Sequence, residues 1–80
     1  MDIVYSAAFA KRRAKLDKMR KYRLEKLIER LQELPESGNP LQHDMRGLRS
    51  ARLPPFRVIY RLENDKIIFL VLEHRSRAYD

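Results

Sequence analysis

The chain has no cysteine among its 80 residues. Disulfides and thiolate metal sites are therefore excluded, and nothing in the composition requires an oxidising compartment. No apolar run approaches the roughly 20 residues of a membrane-spanning helix. The N-terminus has no signal-peptide hydrophobic region either, so the expected setting is cytoplasmic. Also missing are a Gly-rich phosphate loop and a Ser-His-Asp set. The two histidines, His43 and His74, stand apart from each other and from the scattered carboxylates, without metal-ligand spacing. Neither a metal nor a cofactor is expected.

Acid is the scarcer charge. Eleven Asp and Glu face 18 Lys and Arg, a formal charge of +7. In one domain spanning residues 1–80, near the lower size limit for an independent core, that surplus points to a polyanionic partner. Nucleic acid or an acidic protein fits. A membrane surface fits less well, because the helical region interleaves bases with acids and offers no Trp/Phe-rich face.

Asp2-Ile3-Val4-Tyr5 suits a first strand, and Ser6 can cap the helix that follows. Phe9 and Leu16 mark the apolar face of that helix. A second helix starts near Asp17 and carries Leu24, Leu27, Ile28, Leu31 and Leu34 at helical spacing, a stripe that reads as core. Pro35 stops it. Residues 35–40 are a loop by composition, and residues 49–53 suit a strand. Pro54 and Pro55 together remove two ladder donors, so a regular hairpin is not expected there. Residues 56–62 and 67–73 are rich in β-branched and aromatic residues around Asn64-Asp65, and predict a hairpin. The reading is α+β: an N-terminal helical hairpin covering one face of a small antiparallel sheet, in the order β-α-α-β-β-β. The other face is open to water or a partner.

Seven arginines lie near this sheet, Arg46, Arg49, Arg52, Arg57, Arg61, Arg75 and Arg77, with no lysine from Met45 to Arg61 or in the tail. A guanidinium grips phosphate with two parallel hydrogen bonds, whereas lysine acts as a point charge. A single arginine of the set is better explained by solvation or an ion pair with Glu63, Glu73 or Asp80. The set as a whole points to binding. Strand alternation puts Arg57, Ile59 and Arg61 on one face and Phe56, Val58, Tyr60 and Leu62 on the core face. A two-residue turn sets Arg57 opposite Leu72 and on the face of His74; a three-residue turn sets it opposite Glu73. Sequence leaves both registers open. Arginine neutralises charge but is a poor base, so the proton-transfer candidates are the histidines and tyrosines, above all His74 and Tyr79 among the arginines at the sheet end.

Three segments carry a resemblance. Ile3-Val4-Tyr5-Ser6-Ala7-Ala8-Phe9-Ala10-Lys11 resembles the opening strand and helix of the RelE/ParE superfamily of toxins. Gly47-Leu48-Arg49-Ser50-Ala51-Arg52 followed by Phe56-Arg57-Val58-Ile59-Tyr60-Arg61, and then His74-Arg75-Ser76-Arg77-Ala78-Tyr79, resemble its middle and closing motifs. The resemblance spans nearly the whole chain and implies a RelE-like fold and a toxin of a type II toxin–antitoxin system, paired with an antitoxin in a hetero-oligomer. In the RelE branch it implies a ribosome-dependent, metal-independent endoribonuclease that cleaves mRNA and inhibits translation. Arg57 then matches a transition-state arginine, with Arg75, Tyr79 and His74 as the other catalytic positions. Arg49, Arg52, Arg61 and Arg77 are the RNA-binding candidates. Lysines common before the arginine are replaced by Arg49 and Arg52, which leaves the general base open. Two alternatives share the fold: a ParE-like inhibitor of DNA gyrase, and a degenerate relative that only binds nucleic acid or antitoxin.

Overall fold

A computed structural model describes residues 1–74, with His43 described by its backbone alone. Both helices begin on the residues that can satisfy their exposed N–H groups. Ser6 Oγ accepts from the Phe9 N–H at 3.0 Å, and α1 runs Ala7–Ala14. Asp17 accepts from the Arg20 N–H at 2.8 Å, and α2 runs Lys18–Glu33. Such caps each contribute about 1 kcal/mol. Leu24, Ile28 and Leu31 are buried and Leu27 packs beside them. Leu34 departs from the expected stripe: it is 60% exposed. The chain has already left the helix there, at φ −129° and ψ 72°, and enters a 3₁₀ turn over Pro35–Ser37.

The strands are β1 (Asp2–Tyr5), β2 (Asn39–Pro40), β3 (Leu48–Leu53), β4 (Phe56–Glu63) and β5 (Lys66–His74), in the order β1-β5-β4-β3-β2. The α+β class with a helical hairpin against one sheet is as expected, and three details differ. The sheet is mixed, because β1 lies parallel to β5; the long crossover through both helices makes a parallel neighbour possible. A short strand, β2, forms within the expected loop and pairs with β3. Finally, β3 and β4 do make a regular hairpin. Leu53 pairs with Phe56, so Pro54 and Pro55 occupy the two turn positions, and their peptide bond is cis. Prolines between the strands remove no donor from the ladder, which is why the pairing survives them.

The second hairpin resolves its register in an unforeseen way. Glu63 pairs with Lys66, the two-residue turn, with Asn64 at φ 54°. Yet Arg57 pairs with Glu73, the partner expected of a longer turn. The difference is a β-bulge. Tyr60 faces Phe69 and Ile59 faces Val71, so Leu70 is the extra residue. Its carbonyl accepts from Ser6 Oγ at 2.7 Å. One inserted residue changes which side chains share a face.

On the helix side, Phe9, Leu24, Ile28 and Leu31 pack against Val58, Tyr60, Ile67, Phe69 and Leu72. Tyr60 is fully buried. Its hydroxyl donates to the Pro35 carbonyl at 2.7 Å and accepts from the Gly38 N–H at 3.0 Å. Gly38 has ordinary strand-like φ of −71°. It is required for space, because a Cβ there would overlap the Tyr60 phenol.

Candidate nucleic-acid interface

Strand register arranges the outer face of the sheet in rows. One row reads Arg52 on β3, Arg57 on β4 and Glu73 on β5. The next reads Ser50, Ile59 and Val71, with Asn39 of β2 continuing it past Ser50. Ile59 is buried on this face, 2% exposed. Arg61 follows one row further, between Leu48 and Ile68.

Arg57 is the best-held basic residue of the row. Its Nη2 donates to Glu73 Oε1 at 2.9 Å, with 25% and 27% of the two side chains exposed. Its Nε–H is buried and finds no acceptor among the described residues. On the β3 side, Arg57 and Arg52 line a cleft of about 240 Å³ with Asn39 and Ser50, walled by Leu41 and Phe56. Two guanidiniums in register, an amide, a hydroxyl and apolar walls suit an anion carrying a flat ring, such as a nucleotide.

Arg52 also opens onto a second cleft of about 370 Å³, shared with Arg23, Lys26 and Arg30 of α2. None of these three was among the sequence candidates. Their spacing, three and then four residues, puts them on one helical face, and that was the signal available.

The other candidates divide. Arg49 lies on the opposite face from Arg52, paired with Tyr60. Its Nη1 donates to the carbonyls of Glu36 and Gly38, at 3.0 and 2.9 Å, tying down the turn after α2. Arg61 is ion-paired with Glu63 at 3.0 Å. His74 pairs with Phe56, the two rings edge to face at 5.4 Å. The bulge thus puts His74 on the core side of the sheet and Arg57 on the outer side. Arg75, Arg77 and Tyr79 lie outside the described residues. Among the described residues no three of His, Asp and Glu gather as a metal-binding group, and no helix is long and apolar enough to cross a membrane. Burial pushes the Tyr60 phenol above its ordinary range, partly offset by the Gly38 N–H and the Arg49 charge.

A helical hairpin on one side of a small mixed sheet, with Arg52, Arg57 and Arg61 on its outer face, is the arrangement of RelE-like toxin folds. The model of the ParE toxin family of type II toxin–antitoxin systems (parDE) matches residues 3–79, and the chain belongs to that family. The fold is similar to that of YafQ from E. coli, at 28% identity and a TM-score of 0.75, covering 99% of this chain and 98% of that one. YafQ in the E. coli DinJ–YafQ toxin–antitoxin complex gives 25% and 0.74, with 99% and 97% covered. The RelB–RelE antitoxin–toxin complex from Methanococcus jannaschii gives 20% and 0.73, with 96% and 95% covered. No curated protein sequence matches the chain.

Proposed function

We propose that this toxin is a metal-independent endoribonuclease that cleaves mRNA on the ribosome, inhibits translation, and is silenced by a cognate antitoxin in a hetero-oligomer. The observation that carries the reading is the Arg57 cleft: a largely buried guanidinium, in register with Arg52 and beside a ring-sized space. The antitoxin partner is supported by the similar YafQ and RelE chains, which occur in toxin–antitoxin complexes.

In this reading the ribose 2′-OH attacks the adjacent phosphorus. The bond from phosphorus to the 5′-oxygen breaks, leaving a 2′,3′-cyclic phosphate and a 5′-OH. Negative charge builds on the phosphoryl oxygens as the attack proceeds, and a fixed guanidinium stabilises it more in the transition state than in the ground state. Arg57 takes that role, and Arg52 adds affinity from the neighbouring strand. The resemblance assigns Arg75 to the phosphate or leaving oxygen. Arg57 cannot take the 2′-OH proton. With His74 set edge to face against Phe56 on the other side of the sheet, Tyr79 is the proton-transfer group of this proposal.

Primer extension on translated mRNA tests it. Wild-type protein gives discrete cleavage ends, and Arg57→Ala gives none. The match to a model built for ParE toxins favours one second reading, inhibition of DNA gyrase by binding. Intact mRNA together with blocked supercoiling would establish that reading instead.

A further inference from the structure

We infer that Glu73 is an exchangeable counter-ion for Arg57: its carboxylate occupies the guanidinium in the free protein, and an incoming phosphate takes its place. The inference names a control on the Arg57 cleft, and its RNA arm rests on the function proposed above.

Three observations carry it. The first is the 2.9 Å bond from Arg57 Nη2 to Glu73 Oε1 between two partly buried side chains. This carboxylate cancels the charge that a phosphate would seek. The second is the incompleteness of the pair. Nε–H and the neighbouring Nη2–H lie on one edge of the planar guanidinium and can grip two oxygens of one anion. Glu73 takes Nη2 alone, while the buried Nε–H has no acceptor among the described residues. A phosphate arriving on that edge has oxygens for both donors, so exchange replaces one hydrogen bond with two. The third is a second place for the displaced carboxylate. Glu73 borders a cleft between β5 and α1 whose other lining includes Lys11, Arg12 and Lys15. Released from Arg57, the carboxylate stays beside a cleft that three cations line.

The arrangement separates capture from activation. A weakly held anion leaves Glu73 in place and Arg57 neutralised. A nucleic-acid backbone held by several other cations brings its phosphate close enough to displace the carboxylate, and only then is the guanidinium available for transition-state charge. Glu73 is thus a positioning residue that acts through Arg57.

The test uses the full chain and two probes. A fluorescent single-stranded RNA oligonucleotide reports affinity by anisotropy, and inorganic phosphate is titrated while the Arg57 Nε–H resonance is followed by NMR. Glu73→Gln should bind RNA about three- to fivefold more tightly at low salt, the scale of one partly exposed ion pair. That gain should vanish when Arg57→Ala is compared with Arg57→Ala/Glu73→Gln. The Nε–H resonance should move at lower phosphate in Glu73→Gln than in wild type. Circular dichroism confirms that each variant is folded, and Glu73→Asp, which keeps the charge on a shorter arm, should fall between wild type and Glu73→Gln.

Unchanged or weaker RNA binding by Glu73→Gln overturns the exchange, as does a gain that persists without Arg57. If no variant binds RNA but the phosphate titrations follow the expected order, the exchange stands and the nuclease reading fails. If mRNA is cleaved while Glu73→Gln leaves both titrations unmoved, the nuclease reading stands and the exchange fails.

Discussion

Ser6 Oγ donates to the carbonyl of Leu70 at 2.7 Å while accepting from the Phe9 N–H. One hydroxyl thereby caps α1 and satisfies the bulge that sets Arg57 opposite Glu73. Ser6→Ala removes both bonds and leaves a part-buried carbonyl without its donor. We expect a loss of about 1–3 kcal/mol in urea unfolding. Ser6→Thr should recover most of it.

Core and boundary of the α2 stripe should separate cleanly. Ile28→Ala empties a site that is 5% exposed and should cost about 2–5 kcal/mol. Leu34→Ala, at a position 60% exposed, should change stability by no more than about 0.5 kcal/mol. Equal effects on the melting temperature would contradict this packing.

Tyr60 makes stability fall at high pH. Its phenol is harder to ionise in the fold, chiefly because it is buried. The folded state therefore keeps a proton that the unfolded state releases from about pH 10 upward. Its contribution is complete below that pH and is lost as pH rises through the folded value. Wild type should lose stability faster than Tyr60→Phe between neutral and strongly alkaline pH. The variant itself is weaker at pH 7 by about 1–3 kcal/mol, because the Gly38 N–H and Pro35 carbonyl lose their partner.

Arg49 and Arg52 should behave oppositely although they lie on the same short strand. Arg49→Ala severs bonds to the Glu36 and Gly38 carbonyls and should cost about 1–3 kcal/mol of stability, with little effect on RNA affinity. Arg52→Ala should leave the melting curve alone and weaken RNA binding. Thermal unfolding and anisotropy, run on both variants, decide between these assignments.

The salt dependence of RNA binding should report the α2 cleft. Arg23, Lys26 and Arg30 share it with Arg52. For single-stranded RNA, the slope of log affinity against log salt should fall by about 0.7 for every phosphate the protein no longer neutralises. Arg23→Ala/Arg30→Ala should therefore give a shallower slope than wild type. A slope that did not change would place the RNA away from α2.

Much of this architecture was legible because local signals agreed with the tertiary result. Ser6 and Asp17 capped the helices they preceded, and the Leu24–Ile28–Leu31 stripe met Val58, Tyr60 and Phe69 as strand alternation required. The outer-face position of Arg57 followed from the same alternation. Its partner did not, because a bulge at Leu70 shifts the register, and the donor its carbonyl meets is Ser6, distant in sequence. The bulge also parted His74 from Arg57, which a regular ladder would have left on one face. The Pro54–Pro55 hairpin was missed for a different reason. Proline counts against a strand but not against the two positions between strands. Arg49 showed the limit of reading charge by type, since one guanidinium serves equally well for phosphates and for backbone carbonyls.

The parallel pairing of β1 with β5 joins Asp2 to Lys66 and Tyr5 to Phe69, so the sheet closes between segments 64 positions apart, as Ser6 and Leu70 are. Closure over such a span is slow relative to local pairing, and the β3–β4–β5 meander is the natural nucleus onto which β1 docks late. The Arg52–Arg57–Glu73 row lies wholly within that meander, so local pairing assembles the arginine row before Ser6 closes over the Leu70 carbonyl from the far end of the chain.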